Sequence, residues 1–253
     1  MTATTKTEML TINKTGWNTV ASQFFEGRKE TLSYGPYAPT EEELNLLGDL
    51  QGARILEIGC GSGHTLEYLA RHGAEELWGV DLSGAQIESA REVLKDLTVP
   101  VTLLEAPMED IPGLPEAYFD KVVSLYALGW TVDLQKTVQG ICRSLKKGGQ
   151  FVFSWEHPVH TTLDCSEQKF VMNRRYTQEG PSLQDSWRGV PIVMHRRKLS
   201  TFVNELIRAG FVLDQIIEET RVGDHDISQP EQWYSAARAN IVPSTFIICC
   251  HKS

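Results

Sequence analysis

No Cys-x-x-Cys pair occurs in the chain. Its five cysteines, at 60, 142, 165, 249 and 250, are odd in number and irregularly spaced. Neither a disulfide framework nor a metal site is therefore expected, and a reducing compartment fits best. Nowhere do eighteen apolar residues follow one another, which argues against a membrane-spanning helix. The opening Met-Thr-Ala-Thr-Thr-Lys-Thr-Glu has no apolar centre of the kind a secretory signal needs, so a cytoplasmic location is expected. Basic residues are outnumbered: 24 Lys and Arg face 33 Asp and Glu, a formal net charge of −9. That balance disfavours general attraction to nucleic acid or to anionic membrane. Repeats, low-complexity tracts and an interdomain linker are also absent, and 253 residues suit a single domain with a sizeable core.

The apolar pattern alternates between strand and helix. Thr40 and Glu43 form a capping box, and Leu44, Leu47 and Leu50 follow at helical spacing. An apolar run at 53–59 predicts the first strand. Strands at 77–82, 101–104, 121–128 and 150–155 follow, with the amphipathic sets Leu66/Leu69/Ala70, Ile87/Ala90/Leu94/Leu97 and Leu134/Val138/Ile141/Leu145 before the second, third and fifth strands and a proline-rich connection through Pro107, Pro112 and Pro115 before the fourth. Such a rhythm implies a parallel sheet with helices on both faces. Residues 1–39 predict an N-terminal cap, irregular apart from one short helix, carrying Trp17, Phe24, Phe25, Tyr34 and Tyr37. The cofactor-binding core is expected over 40–157. Residues 158–196 show no sustained period and are expected to form a lid-like insertion. A helix at 199–209 and strands at 211–218 and 245–250 complete the 197–253 segment.

The first strand runs into Gly59-Cys60-Gly61-Ser62-Gly63, three glycines in five residues. A turn of this kind brings backbone against a ligand, and it lies at the carboxyl end of a strand, where ligands bind in open parallel sheets. Glu57 sits inside that strand, where a carboxylate needs a partner. Asp81 closes the second strand, at a distance suited to accepting hydrogen bonds from ribose hydroxyls. The third glycine of a dinucleotide fingerprint is missing: His64 or Leu66 stands there, depending on register. The Lys and Ser/Thr of a phosphate loop are missing too, so a nucleoside without a pyrophosphate fits better than NAD.

Four motifs, Leu-Glu-Ile-Gly-Cys-Gly-Ser-Gly at 56–63, Gly-Val-Asp-Leu-Ser at 79–83, Phe-Asp-Lys-Val-Val-Ser at 119–124 and Leu-Lys-Lys-Gly-Gly at 145–149, occur in order over some 100 residues. Together they resemble the class I S-adenosylmethionine-dependent methyltransferases, in particular the small-molecule branch called methyltransferase type 11. The resemblance implies a Rossmann-like α/β fold. Its seven-stranded, mostly parallel sheet would have order 3-2-1-4-5-7-6 with strand 7 antiparallel. It implies S-adenosylmethionine as cofactor, with S-adenosylhomocysteine as product. Glu57, Gly59, Cys60, Gly61 and Gly63 would hold the methionine part, Asp81 the ribose, and Leu82 and Gln86 the nucleoside, with Leu125 on the same side. The adenine-binding acid of relatives matches Pro107 here, which leaves Met108 and Glu109 as candidates for the adenine edge.

Methyl transfer from a sulfonium is an in-line displacement that needs alignment and, for some acceptors, a base. Candidates at the ends of the fourth and fifth strands are Tyr126 and His157 as catalytic groups and Trp130 and Glu156 as acceptor-binding groups, with Tyr34 contributed by the cap. His160 and Asp133 are weaker candidates. The His195–Lys198 basic run reads as a solvated helix start. The expected acceptor is a small molecule methylated on oxygen, nitrogen or carbon. A nucleic-acid acceptor is disfavoured because Ser124-Leu125-Tyr126-Ala127 replaces the Asp/Asn-Pro-Pro-Tyr cluster and no Pro-Cys nucleophile occurs. A protein that binds the cofactor without turning it over is the remaining alternative. Oligomeric state is not legible.

Overall fold

In chain order, the computed structural model contains α1 (Lys6–Val20), α2 (Glu41–Leu44), β1 (Arg54–Ile58), α3 (His64–Arg71), β2 (Glu76–Asp81), α4 (Gly84–Leu94), β3 (Val101–Glu105), β4 (Phe119–Leu125), α5 (Leu134–Ser144) and β5 (Leu145–Glu156). There follow β6 (Leu163–Ser166), β7 (Lys169–Met172), β8 (Gly180–Trp187), β9 (Val190–Arg196), α6 (Leu199–Ala209), β10 (Phe211–Ile217), α7 (Ala236–Ala239) and β11 (Thr245–Lys252). The structure describes residues 4–24, 30–167 and 169–253, and Phe25 of the predicted cap lies outside them.

Ile55, Leu56, Glu57 and Ile58 are all buried, as befits a central strand covered on both faces. β1 pairs in parallel with β2 and β4, β2 with β3, and β4 with β5, while β11 runs antiparallel to both β5 and β10. The resulting order is β3-β2-β1-β4-β5-β11-β10, the expected 3-2-1-4-5-7-6 arrangement once the strands outside this sheet are set aside. One face packs Leu66, Leu69, Ile87 and Leu94 against Ile55 and Val123. The other packs Val138, Ile141, Phe202 and Leu206 against Leu56, Phe151, Phe153 and Phe246. The carboxyl ends of β1, β2, β4 and β5 therefore open on one edge.

Three predicted segments differ. The helix begun by the Thr40/Glu43 capping box lasts one turn, because Asn45 adopts a left-handed conformation (φ 48°) and buried Glu41 accepts the backbone N–H groups of Leu46 and Leu47 at 2.9 and 2.8 Å. The N-terminal segment contains a fifteen-residue helix, α1, capped by Thr5 and Glu8. The 158–196 segment is ordered into two antiparallel hairpins, β6–β7 and β8–β9.

Candidate functional site

The glycine turn is fixed to β2 before any ligand is considered. Gly59 and Cys60 donate backbone N–H groups to Val80 O at 2.7 and 3.0 Å. At Gly59 (φ +73°) a Cβ would lie 2.2 Å from Ala127 Cβ, so β1 and the residues after β4 approach as closely as glycine permits. Gly61 N donates to Asp81 Oδ2 at 3.0 Å and Ser83 N to Asp81 Oδ1 at 2.8 Å. Even with these bonds, burial pushes the Asp81 carboxyl up to about 6. Glu57 is buried and its Oε2 has no hydrogen-bond partner among the described residues. Burial raises its pKa, and nearby Asp81 adds to the rise. An orphaned buried carboxylate oxygen and a second carboxylate beside it fit a ligand bearing an ammonium group and a diol, as S-adenosylmethionine does. Ser62 donates to Gln86 Oε1 at 2.8 Å, holding that amide at the wall. Glu109 accepts from Thr131 Oγ1 at 2.6 Å and Val132 N at 2.5 Å through Oε1, while its Oε2 is buried without a partner.

Glu57, Gly59, Cys60, Gly61, Asp81, Leu82, Gln86, Met108, Glu109 and Leu125 line one cavity of about 1020 Å³, and so do Tyr34, Tyr126, Trp130 and Glu156. Gly63 does not line it. It starts α3 at φ +80°, where a Cβ would come within 3.1 Å of Ala90 and Leu94, so its smallness serves packing of α3 on α4. His157 does not line the cavity either, which corrects its expected role as base. Its Nε2 pairs with Glu218 Oε1 at 2.8 Å and its Nδ1 accepts from Val159 N at 3.2 Å, so both ring nitrogens are committed. Tyr126 forms part of the wall, but its hydroxyl is held by Ser244 O at 3.4 Å and Thr245 Oγ1 at 3.3 Å, and burial raises its pKa. Its expected place as a catalytic group gives way to a positioning one. Tyr34 is fully buried and donates to Glu41 Oε2 at 2.6 Å, which anchors the Ser33–Pro36 wall and leaves no hydroxyl for an acceptor. Asp133 caps α5 and pairs with Lys6. His160 is buried in a stack on Tyr234.

Residues 56–153 match the methyltransferase type 11 family, described as a methyltransferase domain. A protein of Haemophilus influenzae, itself uncharacterized, is 30% identical over 204 residues, covering 76% of this chain and 78% of its own length. The chain belongs to the class I S-adenosylmethionine-dependent methyltransferases. An S-adenosyl-L-methionine-dependent Diels-Alderase of Talaromyces variabilis is 35% identical over 200 residues, 78% of this chain and 63% of the relative. Among solved structures, an S-adenosylmethionine-dependent methyltransferase of Mesorhizobium loti is similar at a TM-score of 0.67 and 26% identity, over 83% of this chain and 95% of that one.

The methyltransferase cavity also contains residues that no motif marked. Trp130 sits between Trp17, Trp155 and Trp187, with ring centroids 5.3, 5.6 and 5.5 Å away. Trp233 and Tyr234 donate to Glu156 Oε1, the latter at 2.8 Å, and burial raises the Glu156 pKa. His195, Arg196 and Arg197 line the cavity, which corrects the reading of that run as a solvated helix start. Arg197 donates to Gly129 O and Thr131 O at 3.2 and 2.5 Å. His195 Nδ1 is buried without a partner, and burial, with Arg197 close by, pushes the ring down to about 4, so it is neutral at pH 7. The polar residues Ser182 and Gln184 alternate along β8 and line the cavity, a period-two signal that was present in the sequence without an apolar partner set to reveal it. Among the described residues no helix is long and apolar enough to cross a membrane, and no metal-holding cluster occurs.

Proposed function

We propose that this enzyme methylates an oxygen, nitrogen or carbon atom of a small, largely planar and apolar acceptor seated among Trp17, Trp130, Trp155 and Trp187. The observation that carries this reading is the continuity of the cavity: the Glu57–Asp81 end and the tryptophan walls enclose one space of about 1020 Å³. That is at the upper end of the roughly 300–1,000 Å³ of ordinary ligand pockets, as two ligands side by side require. Aromatic walls favour a flat partner by offset or edge contacts. In this reading the cap and the β6–β9 segment act as a roof over the ends of β4 and β5, and the acceptor enters beneath it.

The cofactor-side roles follow from the donors and acceptors present. Glu57 faces the ammonium group and the 59–61 backbone the methionine chain. Asp81 receives the ribose hydroxyls, and Leu82, Gln86, Met108 and Leu125 enclose the nucleoside, with Glu109 Oε2 at the adenine edge. Bound there, S-adenosylmethionine supplies an electrophilic methyl group and leaves as S-adenosylhomocysteine. The tryptophans hold the acceptor in line and exclude water, the largest contribution such a displacement needs from the chain. Where the nucleophile must lose a proton, Glu156 takes it. It is a cavity-wall carboxylate made more basic by burial and held in place by Trp233 and Tyr234.

Incubation of the purified enzyme with S-adenosylmethionine and fractionated metabolite extract should release S-adenosylhomocysteine in step with one methylated product. Tight cofactor binding with no release from any fraction would defeat the proposal. The name of the 35% identical relative favours a second reading, cofactor-dependent cyclisation. Its signature in the same assay is consumption of a polyene without S-adenosylhomocysteine.

A further inference from the structure

Charge is distributed unequally around the cavity. Glu57, Asp81 and Glu109 stand on the cofactor side, whereas Arg174, Arg188, Arg196 and Arg197 come from the segment that forms the roof. The hydrogen-bond partners of these arginines are all neutral. Arg197 is anchored by the carbonyls of Gly129 and Thr131. Arg188 is exposed and lies over the Phe24 ring at 4.6 Å. Arg174 and Arg196, both half-buried, make one hydrogen bond each, to Thr161 O and to Ser182 Oγ, both at 3.2 Å. Both also line a second, small pocket together with Arg175 and Arg197. Burial and the neighbouring Arg174 hold Arg196 below its ordinary pKa, so the two guanidiniums feel one another. Glu156, the carboxylate of this part of the wall, accepts from Trp233 and Tyr234 and lies near enough to Arg174 for that charge to temper the rise of its pKa, so it balances Arg174 in part and leaves Arg196 without a carboxylate partner.

Two partly desolvated like charges with spare N–H donors, neither in a salt bridge among the described residues, favour something negative lodged against them. We infer that the acceptor carries a carboxylate or phosphate group, which Arg174 and Arg196 bind, with its flat body running from there along the tryptophans toward the Glu57–Asp81 end. This rests on the small-molecule reading above and adds the charge class of the acceptor. Guanidinium groups present paired N–H donors that match either oxyanion. An acidic protein with a basic acceptor end would thereby draw in an anion that its outer surface repels.

The test reads binding instead of turnover, so that it fails separately from the methyl-transfer proposal. Enzyme loaded with S-adenosylhomocysteine is titrated calorimetrically with 4-hydroxybenzoate, phenyl phosphate and the neutral 4-hydroxybenzamide. At least one anion should bind tenfold or more tightly than the amide, and the preferred anion identifies carboxylate or phosphate. In the Arg174→Gln/Arg196→Gln variant that advantage should vanish while affinities for the amide and for S-adenosylhomocysteine stay within twofold. Equal binding of anions and amide by the unmodified enzyme overturns the inference, with no variant needed. So does a double variant that keeps the anion preference, or one that loses S-adenosylhomocysteine as severely as the anion, since the arginines would then serve the cofactor.

Discussion

Asp81 accepts two backbone N–H groups and is still lifted to about 6 by burial. A carboxyl raised above its unfolded value of 3.8 stabilises the fold fully below that value, and the contribution is lost as pH rises through 6. Ribose hydroxyls donate to the ionised form, so S-adenosylhomocysteine affinity should behave oppositely. It should be flat above pH 7 and fall below 6 by up to about tenfold per unit, as read by calorimetry. Glu57 pulls in the same direction, because an ammonium group also prefers the ionised partner. Asp81→Asn should weaken S-adenosylhomocysteine by roughly 100-fold, the loss of hydrogen bonds to a charged group worth about 1.5–3 kcal/mol each. His157→Gln should leave turnover and cofactor affinity within about twofold and lower urea stability by about 1–2 kcal/mol, since the ring's partners are Val159 and Glu218. A large fall in turnover would restore His157 to the chemistry. That Glu57, Gly59, Gly61 and Asp81 meet at one cavity was legible because the motif ties residue type to a fixed turn. His157 was not, since successive strand residues point to opposite faces and a sequence does not say which of Glu156 and His157 faces the ligand.

At the scale of elements, the cap was the part least legible, and α1 shows why. Its buried face carries Asn13 and Gly16 beside Met9 and Val20, so the apolar period that marks a helix is interrupted by residues chosen for contact. Asn13 donates to Val193 O at 3.0 Å and accepts from Val193 N at 2.7 Å, pairing both backbone groups of Val193 in β9. A Cβ on Gly16 would lie 2.9 Å from Pro191 O, so the helix sits directly on the hairpin. At its other end Asn18 Oδ1 accepts from Ser83 Oγ at 2.7 Å and Ala85 N at 3.2 Å, next to Asp81. One helix thus connects the Asp81–Ala85 segment, the proposed ribose side, to the β8–β9 hairpin. Asn13→Ala leaves two buried backbone groups unpaired, a cost of about 2–3 kcal/mol. Hydrogen exchange over 190–196 should accelerate while S-adenosylhomocysteine affinity changes less than twofold. Unchanged exchange would mean that the hairpin is held by other contacts.

For the whole molecule, strand order followed from motifs distributed over β1 to β5, whereas the roof is written in short hairpins, and the cavity-facing residues of β8 and β9 mix Ser182, Gln184, His195 and Arg196 with Trp187 and Met194, so no apolar alternation marks them. The proposed cofactor site draws on β1, β2, α4 and the residues after β4, so a ligand bound there would tie together elements remote in sequence, and its effect should register in global unfolding. A ligand that binds only the folded state at 100 times its dissociation constant adds about 2.7 kcal/mol. For a domain of this size each kcal/mol moves the melting temperature by about 2–4 °C. S-adenosylhomocysteine at that concentration should therefore raise the midpoint by roughly 5–11 °C in differential scanning calorimetry. Asp81→Asn at the same ligand concentration should show almost none of this shift, because a 100-fold weaker site is then only half filled and contributes about 0.4 kcal/mol. A full shift in that variant would place the ligand's anchoring outside the β1–β2 end of the cavity, with Glu57 and Asp81 left as structural carboxylates.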